Sequence, residues 1–575
     1  MLKLSKRLKP YALPIAIVCA LMLLQSLSQL YLPNLMSDIV DQGIARGDTA
    51  YIWRTGGMML LVALGGAVCT VFANYLSSRN SMGFGRDLRS AVFARVESFS
   101  LHEFDQIGTA SLITRTTNDI TQVQNVVMMS QRMLVTAPMM LIGGSIMAYS
   151  KDRELSKTLV GVLPLLVILV SLVASKGMPL FRAMQSKLDR LNLVLREGLT
   201  GIRVIRAFNR VDHESQRFDA ANRDLTDTAI RVNRIMALMM PLMMLIMNFT
   251  AIAIIWFGGI RINSGAMEVG DMMAFIQYAM QIMSSLLMVS MMFVMIPRAS
   301  ASAVRVNQVL EMVSDISDPA IPAVPTGQRG LVEFRDVSFS YPGAERPALQ
   351  HISFTARPSQ TTAVVGGTGA GKSTLISLIP RFYDISQGSI LVDGVDVRQL
   401  TQSDLRQKMG LVPQTAVLFS GSVNENIRYG RAEADEGQVQ LATAVAQASE
   451  FVSGMSGGFD SILAQGGTNL SGGQKQRLSI ARALVRRPEI YLFDDSFSAL
   501  DFKTDARLRA ALSEYTEDAT VLIVAQRVST VMDADQIIVL DDGQIVGIGT
   551  HRELLQSSPV YREIVMSQLS EEELA

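Results

Sequence analysis

The stretch 361-TTAVVGGTGAGKSTLISLI-379 decides the fold class of the C-terminal half of the chain. Thr361 to Val365 is a short β-branched run, which predicts a strand. The following segment fits G-x-x-x-x-G-K-[ST], a loop between a strand and a helix whose backbone N–H groups surround phosphate oxygens. The predicted phosphate-binding residues are Gly366, Gly367, Thr368, Gly369, Ala370, Gly371, Lys372, Ser373 and Thr374.

Side chains in and after this loop predict a site for ATP and Mg²⁺. Lys372 would neutralise the β- and γ-phosphates, and Ser373 would ligate Mg²⁺. Ile490 to Phe493 is an apolar strand that ends in Asp494, whose carboxylate can reach the same ion. Short β-rich runs alternate with helical stretches beyond residue 330, which predicts an α/β domain.

A second anion-binding pattern lies between these two motifs, in the sequence LSGGQ at residues 470–474. Its serine and glycines open a predicted helix, which again directs backbone N–H groups at an anion. Two phosphate sites on one chain are explained if a nucleotide is clamped between two such domains. The residues of this second site are Ser471, Gly472, Gly473 and Gln474.

The N-terminal half has the composition of a membrane domain. Charge-free apolar runs of about 18 residues or more, long enough to cross hydrocarbon, occur six times before residue 300 and not after it. A segment rich in Pro and Gly, residues 319–330, predicts a linker. The predicted spans are Tyr11–Ser37, Thr55–Ser78, Met133–Ser150, Thr158–Ser175, Ile235–Ile260 and Met272–Pro297.

Basic residues predict the orientation of these spans. Residues 3–9 contain four Lys and Arg, and the long loops 79–132 and 176–234 carry six and twelve, whereas the alternate loops are short and nearly neutral. Because basic loops stay in the cytoplasm, we expect a multi-pass protein of the cell membrane with a cytoplasmic N-terminus and ATPase domain. Apolar residues at helical spacing predict that the long loops are helices that continue out of the membrane.

Composition argues against several other classes of protein. Lys and Arg number 52, as do Asp and Glu, so a net charge of zero gives no support for nucleic-acid binding. The two cysteines, Cys19 and Cys69, lie in apolar runs, where neither a disulfide framework nor a zinc site is expected.

Taken in their order along the chain, the motifs resemble the ATP-binding cassette (ABC) superfamily, and the resemblance covers essentially the whole chain. A membrane domain followed by an ATPase on one chain is similar to an ABC exporter half-transporter of the multidrug type. The implied fold is a six-helix α-helical transmembrane domain followed by an α/β P-loop nucleotide-binding domain. The implied boundaries are 1–318 for the membrane domain, 319–330 for the linker and 331–575 for the nucleotide-binding domain.

The resemblance assigns further residues to the nucleotide. Tyr341 lies where the family stacks an aromatic ring on adenine, with core packing as the alternative. Gln414, in LVPQTAVLFS, matches the Q-loop glutamine that is associated with Mg²⁺ and with coupling to the membrane domain. YLFDD at 491–495 matches the Walker B motif, and SALD at 498–501 matches the D-loop.

The same resemblance implies a dimer. Each of two ATP molecules would contact the P-loop of one chain and the LSGGQ signature of the other. The two long loops would end in coupling helices near Ser111 to Asp119 and near Phe208 to His213.

Two positions depart from the family pattern. The family normally has Glu after the Walker B aspartate, as general base for the attacking water; here Asp495 has a carboxylate set back by about 1 Å, and such a misplacement can cost roughly 100-fold in rate. The family also has His after the next strand, in contact with the γ-phosphate; here the residue is Gln526. Either change alone is compatible with neutral drift. Together they resemble the degenerate-site subunit of heterodimeric ABC exporters.

This interpretation predicts the partner. We expect a different half-transporter chain with Glu and His at the two catalytic positions and a weakened signature. The competent site would combine the partner's P-loop with Ser471 and Gly473 of this chain. The site built on Lys372 would bind ATP and hydrolyse it slowly.

The predicted cargo is an amphipathic or hydrophobic small molecule, drug-like or lipid-like. No Asp, Glu, Lys, Arg or His lies in the predicted spans, which argues weakly against an ion or proton path. Methionine suits surfaces that accept varied apolar ligands, although helix packing or contact with lipid explains Met stripes as well. A homodimeric exporter, a peptide exporter and an ATP-dependent membrane regulator without cargo remain alternatives. The stripes are Met236, Met239, Met240, Met243, Met244 and Met247, and Met280, Met283, Met288, Met291 and Met295.

Overall fold

The computed structural model describes residues 2–325 and 327–568, which cluster into two compact units. The helical unit comprises Met1–Glu97 and Thr109–Met312. The sheet unit comprises Ser98–Gly108 and Val313–Ala575, so a short segment from the N-terminal half clusters with the C-terminal half.

The helical unit confirms the predicted membrane-spanning class. In the described residues, six helices are long and apolar enough to cross a membrane, and each contains one of the predicted runs. Several extend far beyond the apolar run, as expected for spans that continue out of the membrane. The spans are Lys6–Ile44, Thr49–Glu97, Thr109–Lys151, Arg153–Thr200, Val211–Asn263 and Val269–Glu311.

Within these spans, short π-helical stretches at Ile39–Ile44, Arg115–Asp119 and Met139–Gly143 interrupt the α-helical hydrogen bonding. The α-helices of the helical unit, with α4 of the sheet unit, are α1 (Leu2–Ser5), α2 (Ala12–Asp38), α3 (Thr49–Glu97), α4 (Leu101–Ile107), α5 (Thr109–Thr114), α6 (Ile120–Pro138), α7 (Gly144–Lys151), α8 (Arg153–Thr200), α9 (Ile202–Ala207), α10 (Val211–Asn263) and α11 (Val269–Glu311).

Three helix pairs dominate the packing of the helical unit: α2 with α3, α8 with α10, and α6 with α11. Tyr278 of α11 is fully buried, and its hydroxyl donates to the backbone oxygen of Leu30 in α2 at 3.0 Å. Many large apolar side chains remain exposed on the spans, among them Trp256 and Phe249. Such a surface is typical of a protein that contacts a membrane or another chain.

The methionine stripes face two environments. Met243 and Met283 are buried in a cluster that joins the fourth, fifth and sixth spans. Met240 and Met244 are exposed on the described chain. The side chain of Met291 lies outside the described residues. Helix packing therefore accounts for part of each stripe, and a cavity role for the rest stays a prediction.

The sheet unit is built from two main sheets and a set of helices. The larger sheet has the order β12-β11-β3-β10-β9-β6, and the smaller has the order β2-β1-β4-β5. The strands are β1 (Val332–Phe339), β2 (Leu349–Ala356), β3 (Thr361–Gly366), β4 (Gln387–Val392), β5 (Val395–Asp396), β6 (Met409–Val412), β7 (Gly421–Ser422), β8 (Ile462–Leu463), β9 (Ile490–Asp494), β10 (Thr520–Val524), β11 (Gln536–Asp541) and β12 (Gln544–Gly549).

In the larger sheet, β11, β3, β10, β9 and β6 are parallel neighbours. The residues that follow β3, β6, β9 and β10 therefore meet at one edge, where ligands bind in open α/β sheets. The helices are α12 (Lys372–Leu378), α13 (Gln402–Gln407), α14 (Val423–Arg428), α15 (Glu436–Val445), α16 (Ser449–Ser453), α17 (Gly472–Val485), α18 (Phe502–Tyr515), α19 (His551–Ser557) and α20 (Pro559–Met566).

The segment that joins the sheet unit from the N-terminal half is anchored by Glu103 of α4. This buried carboxylate accepts hydrogen bonds from the backbone N–H groups of Ser100 at 2.6 Å and Asp315 at 2.9 Å. Burial alone would raise the pKa of Glu103, but these hydrogen bonds outweigh it and hold the pKa below its ordinary value. Asp105 adds a weak hydrogen bond from the Tyr383 hydroxyl at 3.4 Å.

This arrangement differs from the expected positions of the coupling helices. In the first long loop, a separate short helix lies at Leu101–Ile107, whereas Ser111 to Asp119 belongs to the helix that becomes the third span. In the second, the short helix is Ile202–Ala207, just before the predicted Phe208 to His213. The capping box of Ser100 with Glu103 and the C-terminal Gly108 bound the first helix.

Candidate nucleotide site

The P-loop, residues 366–374, connects β3 to the N-terminus of α12. Gly369 and Gly371 have φ of 86° and 96°, a left-handed conformation that favours glycine. A Cβ on Gly371 would also lie 2.8 Å from the backbone oxygen of Ala348. The loop therefore requires glycine at these two turns. The other P-loop residues before α12 are Gly366, Gly367, Thr368 and Ala370.

Lys372 begins α12, and its side chain is folded back onto the loop. Its ammonium donates to the backbone oxygens of Gly366 at 2.9 Å and Gly367 at 2.7 Å. Burial lowers the pKa of Lys372, against the opposing influence of the Asp495 and Asp494 carboxylates. A desolvated cation of this kind gains from an added anion, so the residue fits a phosphate group.

Ser373 and Asp494 form the candidate Mg²⁺ site. The Ser373 hydroxyl donates to Asp494 Oδ1 at 2.8 Å, and burial raises the pKa of this carboxyl. A hydroxyl and a carboxylate side by side are hard oxygen donors of the type that Mg²⁺ prefers next to phosphates. The residues present therefore fit the ion, which when bound would supply positive charge to the phosphate oxygens.

Asp495 and Gln526 are brought together by the strand order. Asp494 pairs with Val524 at the ends of β9 and β10, so Asp495 and Gln526 lie one and two residues past neighbouring strand ends. Gln526 Nε2 donates to Asp495 Oδ2 at 3.0 Å. Asp495 has φ of 45°, and its N–H donates to the backbone oxygen of Val524 at 3.0 Å, which fixes the origin of its side chain.

Burial raises the pKa of Asp495, although hydrogen bonds from Ser498 and Gln526 and the charge of Lys372 oppose this. A carboxyl whose folded-state pKa is raised favours folding below its unfolded-state pKa and disfavours it as pH rises through the folded-state value. At neutral pH the ionised group therefore costs stability in the absence of nucleotide.

We accordingly expect Asp495→Asn to raise the melting temperature of the nucleotide-free protein by a few degrees. The gain should be largest near pH 8 and shrink as the pH approaches the ordinary carboxyl range. Thermal unfolding across this pH range measures it, with the exposed Asp518→Asn as the control that should change nothing. A lower melting temperature at every pH would show that Asp495 stabilises the apo fold instead.

Tyr341 and Tyr383 border the same helix. The Tyr341 hydroxyl shares a hydrogen bond of 3.0 Å with Thr374 Oγ1, and its ring lies edge-on to Tyr383 with centroids 5.3 Å apart. Tyr341 is 38% exposed, so part of its ring is available to a ligand. Stacking on adenine remains a prediction. Tyr383 belongs to no motif and lies 42 residues from Tyr341 along the chain, so the sequence alone gives no sign of this contact.

Gln414 follows the end of β6, on the strand next to β9, and is exposed. Its side chain lies close enough to the Asp495 carboxyl to lower the pKa of that group. Gln414, Asp495 and Gln526 therefore meet at the carboxyl edge of the larger sheet, the arrangement expected if all three face one ligand.

The signature residues form the N-terminus of α17. Ser471 caps this helix: its Oγ accepts from the Gln474 N–H at 3.3 Å, and Gln474 Oε1 accepts from the Ser471 N–H at 2.9 Å. Because Ser471 Oγ acts as an acceptor in this cap, its hydroxyl hydrogen remains available to a ligand. Ser471 and Gly472 are exposed, and a Cβ on Gly473 would lie 3.1 Å from the backbone oxygen of Ala499.

Both parts of the chain are similar to known proteins. Residues 15–286 match the family model of the ABC transporter transmembrane region, and residues 349–498 match the family model described as ABC transporter. An uncharacterized ABC transporter ATP-binding protein of Mycobacterium tuberculosis is 46% identical over 569 residues, 98% of this chain and 97% of that protein. The chain belongs to the ABC transporter family.

Two further similarities bear on the architecture of this ABC transporter. An ATP-dependent lipid A-core flippase of Aromatoleum aromaticum is 33% identical over 90% of this chain and 85% of that protein. The structure of a bacterial Atm1-family ABC exporter with ATP bound matches with a TM-score of 0.80 at 26% identity, over 98% of this chain and 99% of the other.

These matches establish the activity at the level of the family. The chain is an ABC exporter half-transporter: a six-span transmembrane region and an ABC ATPase domain that moves substrates across a membrane. An ABC ATPase domain implies ATP binding, typically with Mg²⁺, and ABC exporters function as dimers with a second half-transporter.

Proposed function

We propose that this half-transporter exports amphipathic or lipid-like small molecules across the cell membrane as one half of a heterodimer, and that it contributes the slow ATP site. The observation that carries the proposal is the pair Asp495 and Gln526. Asp495 is buried, and its carboxylate accepts a hydrogen bond of 3.0 Å from Gln526 Nε2. An amide here supplies no charge to a γ-phosphate, and the carboxylate is one methylene shorter than glutamate.

The remaining ATP-binding residues support a site that binds nucleotide without rapid hydrolysis. Lys372, Ser373 and Asp494 keep the contacts described above. Binding and turnover depend on different groups, so a chain can keep the first while the second is reduced. The exposed Ser471 and the half-buried Gly473 are intact and suited to complete the ATP site of a partner chain.

The test is the ATPase rate of the chain purified alone in lipid, measured together with its oligomeric mass. We expect ATP to bind with little or no turnover. A stable homodimer that hydrolyses at about 1 per second or faster, as working enzymes do, would overturn the slow-site proposal and leave a homodimeric exporter. With slow turnover, the next step is to identify the co-purifying half-transporter and read its two catalytic positions.

The cargo class rests on the spans and on a relative. The described spans carry many exposed apolar side chains, and the 33% identical relative is named as a lipid A-core flippase. The basic loops predict that the ATPase domain lies in the cytoplasm, where ATP is available. ATP-driven accumulation of a fluorescent lipid or dye in inverted vesicles tests this part. Absence of transport with both subunits present would favour the regulator without cargo.

A further inference from the structure

We infer that Gln568, near the C-terminus, is a positioning residue that fixes the backbone carrying Gln526. Its side-chain amide makes two hydrogen bonds to this backbone. Gln568 Nε2 donates to the Gln526 backbone oxygen at 2.8 Å, and Gln568 Oε1 accepts from the Val528 N–H at 2.8 Å. Both polar groups of one side chain therefore hold the same turn.

The turn that Gln568 holds needs such support. β10 ends at Val524, so Gln526 lies outside the sheet hydrogen-bond ladder. Its side chain points to Asp495, where its Nε2 donates to the carboxylate at 3.0 Å. The backbone oxygen faces Gln568. The position of the Gln526 side chain is thus set between Asp495 on one side and Gln568 on the other.

Gln568 is itself held firmly, which a positioning residue requires. It follows α20, whose Tyr561 and Val565 are fully buried in the core of the sheet unit. The Tyr561 hydroxyl shares a hydrogen bond of 2.7 Å with His551 Nδ1 of α19, and the Gln568 N–H donates to the backbone oxygen of Val565 at 3.0 Å. The C-terminal helical hairpin, residues 551–566, is therefore packed into the core of the sheet unit, and Gln568 extends from its end.

This inference rests on the proposed role of Gln526 in ATP turnover, but not on whether the site is slow or fast. A group that misplaces a reacting contact by a fraction of an ångström changes rate more than affinity. We therefore expect Gln568→Ala, in the full chain purified alone in lipid, to lower kcat at its own ATP site roughly tenfold and to change KM less than about twofold. Gln568→Glu keeps the acceptor for Val528 and should lose less.

The decisive measurement is a double-mutant cycle of Gln568→Ala with Gln526→Ala. If Gln568 acts through Gln526, its effect should disappear in the Gln526→Ala background; a purely structural effect would persist there undiminished and would overturn the inference. Gln556→Ala is the matched control, because Gln556 lies exposed on the same hairpin and its side chain makes no hydrogen bond within the described residues. It should leave kcat unchanged.

A second readout covers turnover at the site on this chain that is too slow to compare between variants. The dissociation rate of a fluorescent ATP analogue from the site on this chain should then show the same cycle, and amide hydrogen exchange of residues 524–531 should rise in Gln568→Ala. If neither kcat nor dissociation responds to Gln568→Ala, the positioning role is wrong. Fast turnover in the wild-type chain would contradict only the slow-site proposal, because the double-mutant cycle could still be measured.

Discussion

Replacing Asp495 by Glu and Gln526 by His in the same chain is expected to raise ATP turnover at its own site by about 100-fold. The backbone N–H of Asp495 is tied to Val524 at 3.0 Å, so the reach of its carboxylate depends on side-chain length. One added methylene advances the carboxylate by about 1 Å toward the P-loop edge of the sheet. The imidazole removes the amide that now donates to the carboxylate and adds a group that can carry charge.

The single substitutions should fall short of the double variant. Asp495→Glu alone leaves Gln526 able to donate to the longer carboxylate, and Gln526→His alone leaves the carboxylate set back. We expect each to give roughly tenfold or less, since neighbouring groups that act together are not additive. The measurement is the initial ATPase rate of the full chain in lipid at saturating Mg²⁺ and ATP.

The chain offers a matched control for this experiment. Asp541 and Gln544 are exposed and lie opposite each other where β11 pairs with β12, so Asp541→Glu with Gln544→His makes the same two chemical changes away from the site. It should leave the rate unchanged. A double variant at Asp495 and Gln526 that binds ATP yet turns over no faster than wild type would show that these positions do not limit hydrolysis.

Much of the architecture could be predicted from the sequence because its signals are local. Spans appear as long charge-free runs, and the P-loop shows in a glycine pattern, within which Gly369 and Gly371 adopt a left-handed conformation. The strand before the P-loop begins and ends as the β-branched run from Thr361 indicates, to within one residue.

The contacts that adjust the site could not be predicted in this way. The hydrogen bond between Asp495 and Gln526 depends on β9 lying next to β10, which strand order decides and no local pattern reports. Gln568 lies 42 residues beyond Gln526 on an exposed helix end, where a polar residue is unremarkable by composition. The short helix at Leu101–Ile107 lies before the predicted segment 111–119; its capping box and Gly108 are local signals, whereas the hydrogen bond from Asp315 to Glu103 comes from 212 positions later and no local pattern reports it.

In the assembled transporter, Ser471→Ala is expected to lower ATP turnover by about 100-fold, whereas Asp495→Asn should lower it by less than about threefold. Ser471 is exposed at the start of α17 with its hydroxyl hydrogen available, so in the proposed heterodimer its loss removes a donor from the partner's ATP site. Removing one donor aimed at developing charge costs on the order of 10²-fold to 10³-fold.

Asp495→Asn separates the two sites because it removes the ionised carboxylate while keeping an oxygen that can accept from Gln526 Nε2. If Asp495 were a working general base, its loss would cost about 10²-fold to 10⁴-fold. A small effect therefore means that turnover occurs at the other site. Equal, large losses from both variants would contradict the asymmetry and favour a homodimer in which Asp495 does the chemistry.

The cap that Ser471 provides must be separated from its role toward the nucleotide. Loss of a serine N-cap costs about 1 kcal/mol of stability wherever it occurs. Ser422 forms the same capping box with Glu425 at the start of α14, at 3.1 Å and 2.7 Å, so Ser422→Ala removes an equivalent cap from the same unit. Because only Ser471 belongs to the signature, the two variants should melt at similar temperatures while Ser422→Ala keeps its ATPase rate. A matching loss of rate in Ser422→Ala would assign the effect of Ser471 to helix stability.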